Sequence, residues 1–414
     1  MRFTTEEEQM LSGAEGPAVQ WAMEVQKQTG EFFGATHFEP ITNAHIVVDV
    51  EIMGAAGYAL VETFAQSATT RFRVPTTTNS QFVDPAYRLF FNQDELLTAQ
   101  QLQVNEYLSQ MGAMIVNSCI PYQATYQPHF GEHVAWGDTG TVCYSNSVFG
   151  SRSNFEAGSA SLAAALTGRV PYYGFHRPEV RRGTALAEVT ATLTDFADWG
   201  ALGAIIGRLG GNYFEVPIIT GLTATPTSDH LKHMAAALAS YGSIAMFGIE
   251  GLTPEAQTLS QAFGKQSPRQ QFTVGDKELQ AFYESYKTQN DQADVVVFSG
   301  PQQSIYELRL LAEALDGKRI HPNTALVITT NHSYLQIAEK LGYAKTIRNA
   351  GGTILEGTCF YLMTLDSVQQ KHGWRTIVTN SAKVANIVGA YDVEPVLRRT
   401  HACIQSALTG KVAY

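Results

Sequence analysis

The last third of the chain alternates short apolar runs with longer segments in which apolar residues recur every three or four positions. The run from Asp294 to Phe298 has the length and β-branched content of a buried strand, and the segment from Ser304 to Leu315 has helical spacing. Repeated strand–helix units of this kind predict a doubly wound parallel sheet with loops at the carboxyl ends of its strands. The predicted strands are 294–298, 325–328, 353–355 and 376–378, and the predicted helices are 304–315 and 334–341.

The first two thirds of the chain show the same rhythm with shorter apolar runs. Thr4 or Thr5 followed by Glu7 and Glu8 is typical of a helix N-cap, and helical spacing continues to Gln28. This order of elements favours an α/β architecture throughout the chain. The other predicted elements are a strand or buried connector at 45–50, strands at 71–74 and 113–116, and helices at 58–65, 92–111 and 160–166.

A polar, glutamine-rich stretch at 268–291 is the best candidate for a domain boundary. We therefore predict an N-terminal and middle α/β region at 1–270 and a doubly wound α/β region at 271–414. The glycine-rich segment 203–211 lacks the spacing and the preceding strand of a dinucleotide-binding fingerprint, and neither a phosphate-binding loop nor a serine-hydrolase elbow occurs. The standard enzyme motifs therefore do not identify the chemistry.

Composition and charge exclude several classes of partner. The chain has 28 Lys and Arg against 38 Asp and Glu, a formal net charge of −10, and no basic cluster, which argues against a nucleic-acid partner. The N-terminus is acidic within eight residues and no run approaches ~20 apolar residues, so we expect neither a signal peptide nor a membrane span. The expected location is the cytoplasm.

The four cysteines are far apart and include no Cys-x-x-Cys pair, so neither a zinc finger nor a disulfide framework is predicted. Any metal site must assemble from distant segments. His230 and His233 lie three positions apart on a predicted helix, but without a Glu between them they indicate exposed helix positions rather than ligands. The cysteines are Cys119, Cys143, Cys359 and Cys403.

Loops that follow predicted strands hold thiol, hydroxyl and ammonium groups. Cys119 follows the strand that ends at 116, and Cys359 follows the strand at 353–355, so each thiol is placed to ligate iron at a strand end. We predict that these two loops converge in space despite their separation in the sequence. Ser381 and Lys383 follow the strand at 376–378.

A further polar segment joins acidic, imidazole and guanidinium groups. Glu132 beside His133 indicates either an acid–base pair or a structural one. Arg152 lies between serines and has the planar fork that binds a carboxylate through two hydrogen bonds. We therefore expect Arg152 to face the same cleft as the cysteines and to bind a substrate carboxylate.

These segments, in this order, are similar to the aconitase X family, and the resemblance runs from residue 4 to about residue 410. The opening segment 4–16 and the stretch 339–359 also resemble the family. The motif strings are Pro75-Thr-Thr77, Cys119-Ile-Pro-Tyr122, Gly131-Glu-His-Val-Ala-Trp136, Asn146-Ser-Val-Phe-Gly-Ser-Arg152, Leu166-Thr-Gly-Arg169, Glu250-Gly-Leu-Thr-Pro-Glu-Ala256, Gly357-Thr-Cys359 and Thr379-Asn-Ser-Ala-Lys383.

The resemblance implies an aconitase-like fold, with three α/β domains around a central cleft. The family's small swivelling domain is expected as a separate partner subunit that carries the general base. The implied activity is that of a dehydratase, a hydro-lyase that removes water from a small hydroxy acid. The family's substrates are cis-3-hydroxy-L-proline and mevalonate 5-phosphate, and iron or an iron–sulfur cluster, bound through cysteines, acts as a Lewis acid.

The strand-end loops and the resemblance together give a candidate site. The candidate metal ligands are Cys119 and Cys359, the candidate catalytic residues are Glu132, His133, Ser381 and Lys383, and the candidate substrate-binding residues are Thr76, Thr77, Asn146, Ser147 and Arg152.

The chain departs from the family pattern beside the expected metal. The family has a third cysteine in a Gly-Cys-Pro-His string, and this chain has Gly300 in place of the cysteine and Gln302 in place of the histidine. With only Cys119 and Cys359 as thiolate ligands, a cluster would lack the ligand that the family's middle cysteine provides. Phe155 replaces a frequent Arg, which argues against a phosphorylated substrate, and Gly137-Asp138 replaces a more common Ser-Glu.

Three functions therefore stay open from the sequence. The first is a dehydratase of cis-3-hydroxy-L-proline or a related compound, and the second is a large subunit of the mevalonate 5-phosphate dehydratase type. The third is a non-catalytic or metal-free homologue that acts as a binding or structural subunit, which Gly300 favours. The surviving cysteines, Arg152 and Lys383 favour a working site.

Overall fold

A computed structural model describes all residues from Met1 to Tyr414, and it contains three α/β units, each built on its own parallel sheet. The central strands are buried on both faces because helices cover them, which suits their Val- and Ile-rich sequences. The expected aconitase-like arrangement of three α/β domains is confirmed. No helix in the structure is long and apolar enough to cross a membrane.

The first unit has a four-stranded sheet and a separate two-stranded ribbon. Its elements are strands β1 Phe38–Pro40, β2 Ala44–Ile46, β3 Thr76–Thr78, β4 Ala113–Met114, β5 Ala135–Trp136 and β6 Arg169–Pro171, and helices α1 Thr5–Leu11, α2 Pro17–Phe32, α3 Val50–Ala65, α4 Glu95–Gln110, α5 Pro121–Ala124, α6 Thr139–Tyr144 and α7 Ser159–Thr167. The sheet order is β4-β3-β2-β5, all parallel, and β1 pairs with β6 in antiparallel fashion. The strand order therefore reverses between β2 and β5, because β3 and β4 extend the sheet on one side of β2 and β5 lies on its other side.

The second unit has a four-stranded parallel sheet in the order β10-β7-β8-β9. Its elements are strands β7 Ala185–Val189, β8 Pro217–Thr220, β9 Gly248–Ile249 and β10 Gln270–Val274, and helices α8 Phe196–Gly210, α9 Ser228–Gly242, α10 Leu259–Phe263 and α11 Asp276–Glu284. Helices α8 and α9 pack closely because glycine faces the contact. A Cβ on Gly203 would lie 2.4 Å from the carbonyl oxygen of Met234.

The third unit has a five-stranded parallel sheet in the order β13-β12-β11-β14-β15. Its elements are strands β11 Val295–Phe298, β12 Ala325–Thr330, β13 Thr353–Glu356, β14 Thr376–Thr379 and β15 Glu394–Leu397, and helices α12 Ile305–Leu315, α13 His332–Leu341, α14 Tyr343–Ala350, α15 Leu365–His372, α16 Ala382–Val388 and α17 Thr400–Thr409. This is the doubly wound sheet that the sequence predicts. Its order reverses between β11 and β14, and the loops that leave such a switch point are the usual ligand-binding loops.

Two predicted details differ from the structure. The predicted strand at 71–74 is wrong, because Phe72 bonds to the carbonyl of Met111 and Arg73 bonds to that of Ala165, so the segment crosses two elements instead of pairing with one strand. The change from the second to the third sheet falls between Val274 and Val295. The predicted boundary at 270/271 therefore lies at the start of β10.

Buried charges join the second unit to the third. The Glu307 carboxylate on α12 contacts the Lys232 ammonium and lies 2.7 Å from Nε2 of His233, both on α9. Lys232 also lies 3.2 Å from Asp229, which accepts a hydrogen bond from Ser304. Burial lowers the pKa of Lys232, but the two carboxylates together raise it by more, so the ammonium keeps its proton. The expectation that His230 and His233 occupy exposed helix positions is wrong for His233, which is buried.

Glu307→Gln should destabilise the protein strongly, because it leaves the Lys232 ammonium with one buried carboxylate fewer. Losing one partner of a buried pair costs about 3–5 kcal/mol. Glu313→Gln is the matched control, since Glu313 is on the same helix but forms an exposed pair with Arg309. Calorimetric unfolding should show a clear loss for the first variant and little change for the second. Equal melting temperatures would contradict this role of the buried network.

Candidate functional site

The carboxyl ends of strands in the first and third sheets meet at one junction. The backbone of Gln81, after β3, pairs with the segment after β13: its N–H donates to the carbonyl of Gly357, and its carbonyl accepts from the N–H of Cys359. Cys119, after β4, lies at the same junction: a Cβ built on Gly357 would lie 2.8 Å from Cβ of Asn117, two residues before Cys119. The two cysteine loops therefore converge.

Gln302, in the loop after β11, links these segments. Its backbone N–H donates to Sγ of Cys119 at 3.3 Å, and its Oε1 accepts from the N–H of Cys119 at 3.3 Å. Its Nε2 donates to the carbonyls of Asn117 at 3.1 Å and Thr358 at 3.4 Å. One fully buried side chain thus connects the loops that follow β4, β11 and β13.

Lys383 and Asp138 form a buried ion pair beside the two thiols. Nζ of Lys383 lies 3.4 Å from Oδ2 of Asp138, and 5.4 Å from the centre of the Tyr361 ring. Burial raises the pKa of Asp138, but Lys383 and the N–H and hydroxyl of Thr141 together lower it by more. The pKa of Asp138 is therefore below its ordinary value. Burial lowers the pKa of Lys383, and Asp138 raises it above its ordinary value. The pair is therefore ionised at neutral pH.

Both thiols at the junction are neutral. Burial raises the pKa of Cys119 well above its usual range, and burial also raises the pKa of Cys359 to about 11. Lys383 lowers both values, but by less than burial raises them. The carboxyl-end group, as we name it, therefore contains one ammonium, one carboxylate and two uncharged thiols: Lys383, Asp138, Cys119 and Cys359.

Thr77 orients a histidine next to this group. Nδ1 of His45 lies 2.8 Å from the hydroxyl of Thr77, and Nε2 of His45 is buried without a hydrogen-bond partner. Burial lowers the pKa of His45 to about 4, against a smaller opposite effect of the Asp138 charge. His45 is therefore neutral at pH 7.

Ser381 and Thr76 use their hydroxyl groups within the protein. Ser381 caps α16 by accepting from the N–H of Val384, and it donates to the carbonyl of Gly300 at 2.5 Å. The hydroxyl of Thr76 donates to the carbonyl of Val74. Ser381 thus holds the loop after β11 in place next to Lys383.

Glu132, His133 and Arg152 lie at the other end of the first sheet, before β5 begins. Glu132 accepts hydrogen bonds from the hydroxyl groups of Thr42 and Tyr126. His133 stacks on His176, with 3.0 Å between their Nδ1 atoms, and its backbone bridges to Arg152. None of the three forms a hydrogen bond or an ion pair with the carboxyl-end group. The role of Arg152 in binding a substrate carboxylate stays a prediction: its Nε is buried without a hydrogen-bond partner.

Asn146 and Ser147 are buried in the packing between the first and second units. The Asn146 amide donates to the carbonyls of Ser153 and Ala245 and accepts from the N–H of Ser153. The Ser147 hydroxyl donates to the backbone carbonyl of Cys143 and accepts from the backbone N–H of Phe247. These contacts occupy the polar atoms that the sequence assigns to substrate binding.

The residues at the junction do not fit a cluster held by three cysteines. Gly300 has no side chain, and a Cβ there would lie 2.7 Å from Cγ2 of Val384 and 3.1 Å from Cε1 of Tyr361. No three His, Cys, Asp or Glu side chains are arranged to hold one metal ion. The donor set thus differs from the one that the resemblance implies.

Sequence reasoning missed His45 as a site residue and noted Asp138 only as a departure from the family pattern. His45 lies in β2 and Asp138 follows β5, and both strands are too short for a clear alternating pattern. The available signal was Asp138 immediately before a Thr-rich segment, which is typical of a helix N-cap, and Asp138 does cap α6.

His45 should make stability fall with acidification. The unfolded histidine gains its proton near pH 6.5, and the folded one only near pH 4, so unfolding takes up a proton between these values. Within that window the wild type should lose stability by up to about 1.4 kcal/mol per pH unit more than His45→Gln. The exposed His401→Gln variant is the control, and thermal unfolding between pH 7 and pH 4 is the measurement. Parallel pH profiles for wild type and His45→Gln would contradict this account.

Comparison with known proteins identifies the family of the whole chain. Three family models match in order: the aconitase X first domain at residues 1–179, the second domain at 183–284 and the third domain at 293–409. The crystal structure of Thermococcus kodakaraensis aconitase X in its holo-form superposes with a TM-score of 0.88 at 32% identity, covering 98% of this chain and all of that one.

The curated relatives are dehydratases. The phosphomevalonate dehydratase large subunit of Thermococcus kodakarensis is 33% identical over 387 residues, which are 93% of this chain and 94% of that protein. The cis-3-hydroxy-L-proline dehydratase of Pseudomonas aeruginosa is 32% identical over 414 residues, which are 99% of this chain but 70% of that protein. Matched along its whole length in sequence and in fold, this chain belongs to the aconitase X family.

Proposed function

We propose that this chain is the large subunit of a cytoplasmic dehydratase that removes water from a small, unphosphorylated hydroxy acid, with cis-3-hydroxy-L-proline as the first candidate. The observation that carries the proposal is the ionised Lys383–Asp138 pair at the junction of strand ends from two sheets. Membership of a family whose named relatives are dehydratases supports the reaction class.

Water elimination needs a proton taken from one carbon and a hydroxyl released from the next. In our proposal the Lys383 ammonium binds the oxygen of the departing hydroxyl, and Asp138 orients that ammonium. A cation at a site largely closed to water stabilises developing negative charge more strongly than it would in solution. No step of the proposed reaction passes through iron, because the donor set does not fit the three-cysteine cluster.

The proton-abstracting base is proposed to come from a small swivelling subunit. Glu132 and His133 are candidate bases from the sequence, but they lie before β5, whereas Asp138 and Lys383 lie after β5 and β14. Several relatives are named large subunits, which supports a separate small partner. Closure of that partner over the junction would exclude water and position the base.

Mevalonate 5-phosphate is the second candidate substrate, because several relatives named phosphomevalonate dehydratase large subunit match almost their full length. Charge at the junction argues against it. The carboxyl-end group has a single ammonium, already paired with Asp138, whereas a phosphomonoester brings close to two negative charges. A carboxylate substrate needs less added positive charge.

The purified chain should be nearly inactive alone and should dehydrate cis-3-hydroxy-L-proline when combined with its small subunit. Mass spectrometry would follow the loss of one water from the substrate, with mevalonate 5-phosphate tested in parallel. Preference for the phosphate would favour the second candidate. Full activity without the small subunit would refute the division of labour, and inactivity of the pair on both compounds would favour a non-catalytic homologue.

Lys383→Met should lower kcat of the two-subunit enzyme by about 100-fold or more, because it removes the charge while keeping most of the side-chain volume. The exposed Lys340 on α13 provides the matched control, and Lys340→Met should leave kcat unchanged. Circular dichroism would check that both variants are folded. Wild-type kcat in Lys383→Met would exclude Lys383 from the reaction.

A further inference from the structure

We propose that this chain holds no iron–sulfur cluster, and that protein contacts centred on Gln302 hold together the three loops at the junction. The inference concerns how the site is built and stands whether or not the proposed dehydratase activity is found. Two independent features carry it: the closed space at Gly300 and the hydrogen bonds of Gln302.

At the position of the third family cysteine the side chain is absent, and neighbouring side chains fill the space that it would need. Val384 is fully buried, and its Cγ2 lies only 2.7 Å from the point where a Cβ on residue 300 would be. The Tyr361 ring closes the same space at 3.1 Å. Gly300 also has φ of +52°, a left-handed conformation that favours glycine over a residue with a side chain. Backbone and neighbours are thus adapted to glycine.

Gln302 makes the connections that a shared cluster would otherwise make. A cluster holds its ligand loops together through metal–sulfur bonds. Here the Gln302 side chain and N–H bond to Asn117, Cys119 and Thr358, and every polar group of that side chain is used. The Gln302 carbonyl accepts from Nζ of Lys232 at 3.1 Å, which ties this residue to the buried charges between the units. The three loops are therefore joined without metal.

The neighbouring loop residues complete this arrangement. The Ser299 hydroxyl accepts from the N–H of Phe360 at 3.1 Å and from the hydroxyl of Thr329 at 2.8 Å. Ser381 donates to the Gly300 carbonyl from the other side. Residues 299, 300 and 302 are each held by a separate element, so the loop after β11 has a fixed path.

The first experiment measures cluster binding directly. The full-length chain, purified without oxygen, is incubated with iron and sulfide beside Thermococcus kodakarensis aconitase X, and bound iron, acid-labile sulfide and visible absorbance are measured after desalting. We expect this chain to retain well under one iron per molecule. Retention of iron and sulfide at the level of the relative would overturn the proposal. Gly300→Cys alone should also fail to gain a cluster, and a cluster in that variant would show that Val384 and Tyr361 do not close the position.

The second experiment tests Gln302 by stability. Gln302→Ala should lower the melting temperature of the metal-free chain by about 2–4 °C or more, since several buried groups lose their partners. The matched control is Gln303→Ala, because Gln303 is equally buried but its side chain donates only to the carbonyl of Pro301. A larger loss for Gln302→Ala supports its linking role. Equal losses would overturn that role, as would a rise in the wild-type melting temperature on addition of iron and sulfide.

Discussion

The buried carboxylate of Glu307 is the contact on which the arrangement of the second and third units depends. It accepts from Lys232 and His233 of α9 while also accepting from the N–H of Ser304 at the start of its own helix. Buried charges are costly unless they are paired, so this network stabilises the arrangement in which α9 packs against the start of α12. Because Lys232 also reaches Gln302, this pairing fixes the loop that lies against Cys119.

The topology of the two outer sheets explains why polar groups gather at the junction. In the first sheet the strand order switches between β2 and β5, and in the third it switches between β11 and β14. Loops diverge at such a point and leave room for side chains between them. Asp138 follows β5, at the switch point of the first sheet, and Lys383 follows β14, at that of the third. Their ion pair spans the space between the two sheets.

The sequence predicted the parts of this structure that depend on local pattern. Clear apolar runs in the third unit allowed four of its five strands to be placed, all but β15. The order of Cys119 and Cys359 after strands was enough to predict that they meet. It failed where strands are very short. His133 and Asp138 are five positions apart, yet the two-residue strand β5 separates them and puts them at opposite ends of the sheet. The packing of Val384 and Tyr361 against Gly300 joins distant segments, so no local pattern could reveal it.

The neutral state of the two thiols has a consequence for the behaviour of the protein in air. Oxidants and alkylating reagents attack the thiolate, and a pKa of about 11 for Cys359 leaves only ~0.1% or less of it ionised near neutral pH. Both sulfurs are also almost wholly covered by neighbouring residues. Both features slow the reaction of these two thiols with oxidants such as peroxide.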